Sequence, residues 1–400
     1  MNTALILPPT AASFHPIGGL PLIQRTVLSA LRSGFERVIV MPGNNGARLQ
    51  QLFTADPRTR RVELANQPPA RLIREGQVAL IPGDCLVTPT TLNRVYDTRV
   101  NGRPVVFTNG ATGENLVLCH AAALSQLEDL LEQSASARLA RLQQIGETSP
   151  DALDDDLCVH VTDESSARLA EDRLFAQLRS STAASDGPLA RWIDRSVSQW
   201  ISRRLVYTPL RPNHITIIGT AIGLLAAWCI SQGAHALEIL GTSLFLCATV
   251  IDGVDGEVAR LKFQETPFGH KFDIFTDNVV HVAIFTALAI GQFRHYPEAN
   301  YPLLIGLFLV GLASAMAATY WCFLREPQAV RPLAAPRTTK GKVRKVLLRG
   351  FESLMNRDFA YVLFVLAVIN RLQWFFWGCV FGTYLFSAGL LWIHRWRDAD

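Results

Sequence analysis

A surplus of charge of either sign is almost missing from this chain. Lys and Arg number 38 and Asp and Glu 34, which leaves a formal net charge of +4. So small a surplus gives a nucleic acid no basic surface to bind, and no nucleic-acid partner is expected. The seven cysteines (Cys85, Cys119, Cys158, Cys229, Cys247, Cys322 and Cys379) form no CxxC pair and no metal-ligand spacing. That excludes a cysteine-held metal and reads as inert, buried thiols in a reducing compartment. No signal peptide opens the sequence. Ala4-Leu5-Ile6-Leu7 before Pro8-Pro9 is too short for its apolar region and reads better as a first buried strand. Charged residues make up only 18% against 49% hydrophobic, with a mean hydropathy of +0.19, and this average hides a split. The first part reads as soluble and the second is far more apolar.

In the soluble part, 1–180, residues 1 to about 135 alternate short apolar runs with helical patterns. Leu5-Ile6-Leu7, Val38-Ile39-Val40-Met41 and Val78-Ala79-Leu80-Ile81 read as buried strands, and Leu22 to Ser33 as a helix ended by Gly34. This βαβ rhythm predicts a three-layer, Rossmann-like α/β domain. A further helix is expected from Asp163 to Leu178 with Thr162 as its N-cap, followed by a polar linker from Ser180 to Gly187.

Residues 188–207 place Leu189, Trp192, Ile193, Val197, Trp200, Ile201 and Leu205 at helical spacing, interleaved with Arg191, Arg195, Arg203 and Arg204. A basic amphipathic helix carrying Trp is expected to lie in a membrane interface. Residues 208–400 follow with six apolar runs, at 214–231, 236–252, 272–292, 301–323, 358–373 and 375–393. Several approach the ~20 residues a helix needs to span a bilayer. The loop from Arg325 to Arg357 holds Lys340, Lys342, Arg344, Lys345 and Arg349, and Arg395 and Arg397 follow the last run. Six spans with these basic flanks put the N-terminal domain, that loop and the C-terminus in the cytoplasm of a bacterial or archaeal cell.

One stretch concentrates the chemistry: Asp252-x2-Asp255-Gly256-x2-Ala259-Arg260-x8-Gly269-x3-Asp273-x3-Asp277. Carboxylates at membrane depth are costly and seldom there without a function. Asp252 and Asp255 are three apart, Asp273 and Asp277 four apart, so on helices each pair shares a face. Two such helices would point hard oxygen ligands into one space, which suits Mg²⁺ or Mn²⁺ and a bridging phosphate. Repulsion between neighbouring carboxylates suits one of them to accept a proton. A cation transporter is the alternative from another class.

Every position of this pattern resembles the signature of the CDP-alcohol phosphotransferase family, from about Asp186 onward. The resemblance implies transfer of a substituted phosphate from a CDP-alcohol to a hydroxyl acceptor, with CMP leaving, in phospholipid or related biosynthesis. By position, Asp252, Asp255 and Asp273 would hold divalent metal, with Asp277 completing the set as general base. Gly256, Ala259 and Gly269 would make room for cytidine, with Arg260 on a phosphate or on a neighbouring helix. Pro212-Asn213 and Thr216 resemble the family's nucleotide-pocket start of the first span, or simply cap it. Arg357-Asp358 matches a pattern in some relatives. Where relatives that use phosphorylated acceptors carry Lys or Arg after the last aspartate, this chain has Asn278; His281 reads as a polar residue of the bundle. Family members are often homodimers, and lipid surrounds them.

Gly18-Gly19-x-Pro21-Leu22-Ile23-x-Arg25 and Pro82-Gly83-Asp84 resemble the sugar-phosphate nucleotidyltransferase fold. The phosphate-cradling Gly-x-Gly-x-Arg loop of that family is replaced by Pro8-Pro9-Thr10-Ala11-Ala12-Ser13-Phe14-His15. The expectation is a degenerate domain. The two-domain layout, with Asp186-Gly187-x3-Arg191-x3-Arg195-x2-Ser198 at the junction, resembles bifunctional inositol-phosphate cytidylyltransferase and CDP-inositol transferase enzymes. The alternative is therefore a chain that also makes its own CDP-alcohol.

Overall fold

The computed structural model of the chain describes residues 2–100, 103–108, 115–125, 147–148, 158–182, 193–296, 301–319 and 359–397. Arg357-Asp358, the Lys-rich stretch from Arg325, the Asp186–Arg191 part of the junction and Cys322 lie outside these residues. The chain divides into two compact units. One comprises Met1–Ser181 with Leu261–Phe263, the other Thr182–Arg260 with Gln264–Asp400.

The first unit is α/β. Its strands are β1 (Asn2–Ile6), β2 (Pro16–Ile17), β3 (Leu20–Pro21), β4 (Arg37–Val40), β5 (Glu63–Leu64), β6 (Gln77–Ile81), β7 (Cys85–Val87), β8 (Val105–Thr108), β9 (Asn115–His120), β10 (Glu147–Thr148) and β11 (Cys158–His160). Seven of them form one sheet in the order β10-β8-β9-β6-β1-β4-β5. β1 pairs in parallel with both β4 and β6, while β9 runs antiparallel to β6 and β8. The three runs expected as buried strands are the three adjacent central strands.

Residue alternation explains why these strands are apolar throughout. Ala4, Ile6, Val38, Val40, Ala79 and Ile81 face a core with Ile23, Val27 and Ala30 of helix α1 (Leu22–Arg32). Helices α2 (Gly46–Ala55) and α4 (Pro89–Asp97) add Leu49, Phe53, Leu92 and Val95 to it, and α3 (Pro69–Leu72) is a single short turn. Leu5, Ile39, Val78 and Leu80 face the other side, against Ile73, Ala121 and Leu124. Gly34 takes φ +87°, a left-handed turn that ends α1 as expected. The last helix, α5 (Glu164–Thr182), departs from expectation at its start. Asp163, not Thr162, caps it: its Oδ1 accepts from the Ser166 backbone N–H at 2.8 Å. Those Ser166 bonds hold the Asp163 carboxyl down at about 2. Cys119 is fully buried, and burial pushes its thiol up to about 12, as an inert thiol requires.

The second unit is helical. It contains α6 (Arg195–Leu205), α7 (Pro212–Ser231), α8 (His235–Leu261), α9 (Pro267–His295), α10 (Tyr301–Thr319), α11 (Phe359–Val368) and α12 (Leu372–Arg397). Among the described residues α7, α8 and α9 are each long and apolar enough to cross a membrane. Their outer faces carry large apolar side chains that water would not tolerate in bulk, such as Trp228, Phe275 and Val282. Cys247, expected to be buried, is exposed on this surface. A bilayer is the solvent that suits such a surface. Asn370, at φ +56°, makes the turn between α11 and α12.

Helix α6 turns Ser198 and Ser202 inward and leaves Val197 and Trp200 outward, so its outer face is part aromatic and part basic. The Arg204 guanidinium lies 3.8 Å from the Trp200 ring centroid. Ile201 and Leu205 pack on Ile215, Val254 and Val258.

Glycines let the spanning helices approach. A Cβ on Gly223 would lie 2.6 Å from Val280 Cγ1, and one on Gly241 would lie 2.8 Å from the Ala226 carbonyl oxygen. At Gly306 a Cβ would meet nothing within 4 Å. Gly241→Ala should therefore destabilise the detergent-solubilised protein by about 1–3 kcal/mol through overpacking against backbone. Gly306→Ala should leave the thermal midpoint unchanged. Equal midpoints for both variants would contradict the close-packing account.

Candidate functional site

The last three turns of α8 and the first three turns of α9 carry the acidic motif. Helix α8 does not stop at the end of its apolar run but continues to Leu261, and α9 begins at Pro267 with Thr266 as N-cap. The Thr266 hydroxyl accepts from the Gly269 backbone N–H at 2.9 Å, and Pro267 occupies a position where a helix needs no N–H. All four aspartates are therefore helical.

Asp252 from α8 and Asp273 and Asp277 from α9 converge. Each offers one carboxylate oxygen within 4.8 Å of the others, and all three are half-buried. Two ligands on opposite sides of a hard divalent ion at about 2.0–2.6 Å each would span such a gap. The donor set is oxygen alone, which fits Mg²⁺ or Mn²⁺ better than a soft metal.

Asp255, expected as a fourth ligand, is absent from that group. A helix turns 100° per residue, so three residues carry Asp255 about 60° round from Asp252. It is buried and faces α7, where the Thr216 hydroxyl donates to its Oδ2. Thr216 thus meets the acidic motif as a neighbour of Asp255.

The other motif residues also find one another. A Cβ on Gly269 would lie 3.4 Å from Asn213 Oδ1, so the glycine admits the asparagine at the start of α7. A Cβ on Gly256 would lie 3.4 Å from a guanidinium nitrogen of Arg260, which folds back over its own helix. Ala259 is half-buried in the last turn of α8.

Beneath the carboxylates lies a cavity of about 60 Å³. Thr216, Gly219, Thr220, Phe245, Ala248, Thr249, Asp252, Thr276, Asp277, Val280, His281 and Phe359 line it. Most of these were not singled out from sequence. Thr220 follows Thr216 by one turn, and Thr276 and Thr249 adjoin the aspartates, but threonine is common in apolar helices and gives no signal by itself. His281 is the clearest case. It is not only a polar residue of the bundle, because it lines the cavity.

Glu257 was missed as well. Its side chain is fully buried, yet both oxygens are engaged. Ser198 Oγ donates to Oε1 and Ser202 Oγ to Oε2, each at 2.7 Å, and Arg195 lies 3.3 Å from Oε1. The Ser-x3-Ser spacing on α6 is the signal that matches it. This clamp ties α6 to the motif turn of α8. At the start of α6, Asp194 accepts from the Tyr361 hydroxyl of α11.

In the α/β unit Asp84 sits 3.2 Å from His160 Nδ1. The loop after β1 is packed against it. A Cβ on Gly83 would lie 2.5 Å from the Leu7 carbonyl oxygen and 3.2 Å from Pro9 Cα. The Pro9 carbonyl accepts from Asn45 Nδ2 at 3.1 Å, and the Arg48 guanidinium stacks 3.8 Å from the Phe14 ring centroid.

Residues 210–383, less than half of the chain, match the family profile described as CDP-alcohol phosphatidyltransferase. The family and the three apolar helices make it a membrane protein. Among similar curated proteins is a Bifunctional IPC transferase and DIPP synthase of Rubrobacter xylanophilus, 31% identical over 149 residues, which are 37% of this chain and 33% of that one. Another is an Archaetidylinositol phosphate synthase of Pyrococcus horikoshii, 26% identical over 117 residues, 29% of this chain and 60% of that one. The match spans a third of the length of the first relative. Among solved structures, a nucleotidyl transferase from Methanothermobacter is similar with a TM-score of 0.35 at 16% identity, covering 44% of this chain and 99% of that one.

Glu257→Ala should cost about 3–5 kcal/mol, because it removes the buried carboxylate that Arg195, Ser198 and Ser202 share. Glu257→Gln should lose less. Thermal unfolding of the purified protein in detergent measures both, and a neutral Glu257→Ala would contradict the clamp.

Proposed function

We propose that this chain is a metal-dependent CDP-alcohol phosphotransferase. It transfers a substituted phosphate from a CDP-alcohol to a hydroxyl acceptor, in phospholipid or related synthesis. The observation that carries the reading is the convergence of Asp252, Asp273 and Asp277 inside the family-matched stretch. A transporter needs no such constellation at one end of its helices, nor the Asn213–Gly269 and Gly256–Arg260 approaches.

Asp252, Asp273 and Asp277 would hold Mg²⁺ or Mn²⁺. Bound there, the ion supplies neutralisation of the diphosphate. Asp255, engaged by Thr216, holds α7 to α8 beside them. Asn213, Thr216, Gly256, Ala259, Arg260 and Gly269 form the wall for the cytidine diphosphate. Asp277 also lines the cavity, and takes the proton of the acceptor hydroxyl there. The acceptor oxygen bonds to the phosphorus of the transferred group. The bond from that phosphorus to the bridging oxygen breaks, and the electron pair leaves with CMP. The six-span count, a cytoplasmic soluble unit and C-terminus, an interfacial α6 and a two-fold homodimer complete the proposal.

Asp252→Asn and Asp273→Asn should each lower CMP release at least 100-fold, an order of magnitude usual for removing a group that stabilises transition-state charge. Chelation should abolish release in the wild type. Asp277→Asn should keep CDP affinity and lose turnover. A collapse of CDP affinity in Asp277→Asn would leave metal binding as its whole role and remove it as the base.

A second reading, in which the soluble unit makes the CDP-alcohol, is favoured by the names of the bifunctional relatives. Against it stands the loop after β1, whose prolines offer no amide to a phosphate and whose backbone fills the space at Gly83. The expected outcome is that the full chain, given CTP, Mg²⁺ and alcohol phosphates, releases no pyrophosphate. Sustained release with any of them would establish the bifunctional reading.

A further inference from the structure

The turn that joins the two halves of the acidic motif belongs to the α/β unit. Leu261–Phe263 group with Met1–Ser181, although in sequence they end α8 and lead to α9. A helix leaves its last carbonyls without partners in the helix itself. Here the Gln264 N–H donates to the Ala259 carbonyl at 2.8 Å, the six-to-one bond that closes a helix end. Such an end needs one left-handed residue, usually glycine. This chain places Phe263 there, at φ +53°, a conformation that is costly for any residue with a side chain.

Two arginines of the same unit hold that turn. Arg25, on α1, is only 3% exposed. Its Nη2 donates to the Leu261 carbonyl at 2.6 Å, and its guanidinium lies 5.4 Å from the centroid of the Phe263 ring. Arg58 Nη1 donates to the Phe263 carbonyl at 2.9 Å and also to the Lys262 carbonyl. Three successive backbone carbonyls at the end of α8 are thus bound by guanidinium groups, where a helix favours positive charge.

Both arginines are themselves fixed. Arg25 also donates to the carbonyls of Ile17 at 3.0 Å and Gly18 at 2.9 Å. Gly18 sits at φ +54°, and a Cβ there would lie 2.7 Å from Arg25 Nη2. The Gly18-Gly19-x-Pro21-x3-Arg25 pattern therefore builds a socket for this guanidinium. Asp56 accepts from Arg58 Nε at 2.9 Å and Nη2 at 2.6 Å, and from Gln24 Nε2 at 2.7 Å. The chemistry proposed above uses neither arginine.

The carboxylates depend on this turn through the chain. Asp252 lies nine residues before Leu261, about 14 Å along α8. A tilt of about 4° at the turn would move it by about 1 Å, and a displacement of that size costs on the order of a hundredfold in rate.

We propose that Arg25 and Arg58 are positioning residues for the phosphotransfer. By holding Leu261–Phe263 they set the angle at which α8 brings Asp252 to Asp273 and Asp277. The transferase reading above supplies the reaction, while the effect on the carboxylates stands without it. The α/β unit then has a role that requires no nucleotide.

The test uses the full chain in detergent. The EPR signal of free Mn²⁺ reads the affinity of the carboxylate site, taken as the binding that Asp252→Asn removes. CMP release from a panel of CDP-alcohols gives kcat and the donor KM. Arg58 is the first target, because it is partly exposed where Arg25 is buried. Arg58→Ala should weaken Mn²⁺ binding and lower kcat by about tenfold each, as loss of a ligand-orienting group does, and leave the donor KM unchanged. Arg58→Lys, which keeps a cation for the carbonyls, should restore most of both. Arg37→Ala is the control, since Arg37 binds Glu63 and the Leu72 carbonyl in the same unit and does not touch the turn. It should keep wild-type affinity and kcat. Wild-type Mn²⁺ affinity in Arg58→Ala would overturn the proposal. So would an equal loss in Arg37→Ala, or a wild-type chain whose carboxylate site binds no Mn²⁺. Weakened Mn²⁺ binding in Arg58→Ala, in a wild type that releases no CMP, would support the positioning and sink the transferase reading. CMP release that Arg58→Ala leaves unchanged would sink the positioning and keep the transferase reading.

Discussion

Three like charges gathered at one end of a helix bundle are the constraint on which the membrane unit depends. At 4.8 Å two carboxylates repel by about 3.5 kcal/mol even at an effective dielectric of about 20. Helices that were free to separate would relieve this. They are held by features whose purpose is otherwise obscure. Gly223 and Gly241 let α7 approach α9 and α8 until side chain and backbone touch. Thr216 bridges α7 to Asp255, and Glu257 fastens the same turn of α8 to Ser198 and Ser202 of α6. A site held this rigidly is poised for a cation, because a bound positive charge offsets the repulsion.

The same bundle solves the problem of polar side chains in an apolar solvent. In hydrocarbon a hydroxyl must find a partner, and a helix offers the carbonyl one turn back. The lining threonines take that solution. Phe245 and Phe359, which line the same cavity, pack on the His281 ring.

In the α/β unit the fold and its first loop rest on different interactions. Its central strands keep two buried faces, and α1 keeps its left-handed glycine ending. Where a phosphate-binding loop would need open amides, Pro8 and Pro9 run against Gly83 and the Pro9 carbonyl is satisfied by Asn45. Sheet stability resides in strand burial, and that burial does not depend on the loop.

The sequence by itself determined whatever follows from periodicity and from single residues with unmistakable chemistry. The three central strands were legible because a strand buried on both faces must be apolar at every position. The acidic motif was legible because charged residues at membrane depth are rare. Helix starts were less legible, since Thr162 and Asp163 are both good caps and only geometry chose Asp163. Tertiary structure alone decided which aspartates meet. Asp252 and Asp255 share a helical face in outline, but a rotation of about 60° sends one to Asp273 and Asp277 and the other to Thr216. It also decided the roles of His281, Glu257 and the threonines, which are unremarkable in sequence. Their meaning depends on which neighbours, from helices tens of residues away, receive their hydrogens, and no local pattern encodes that.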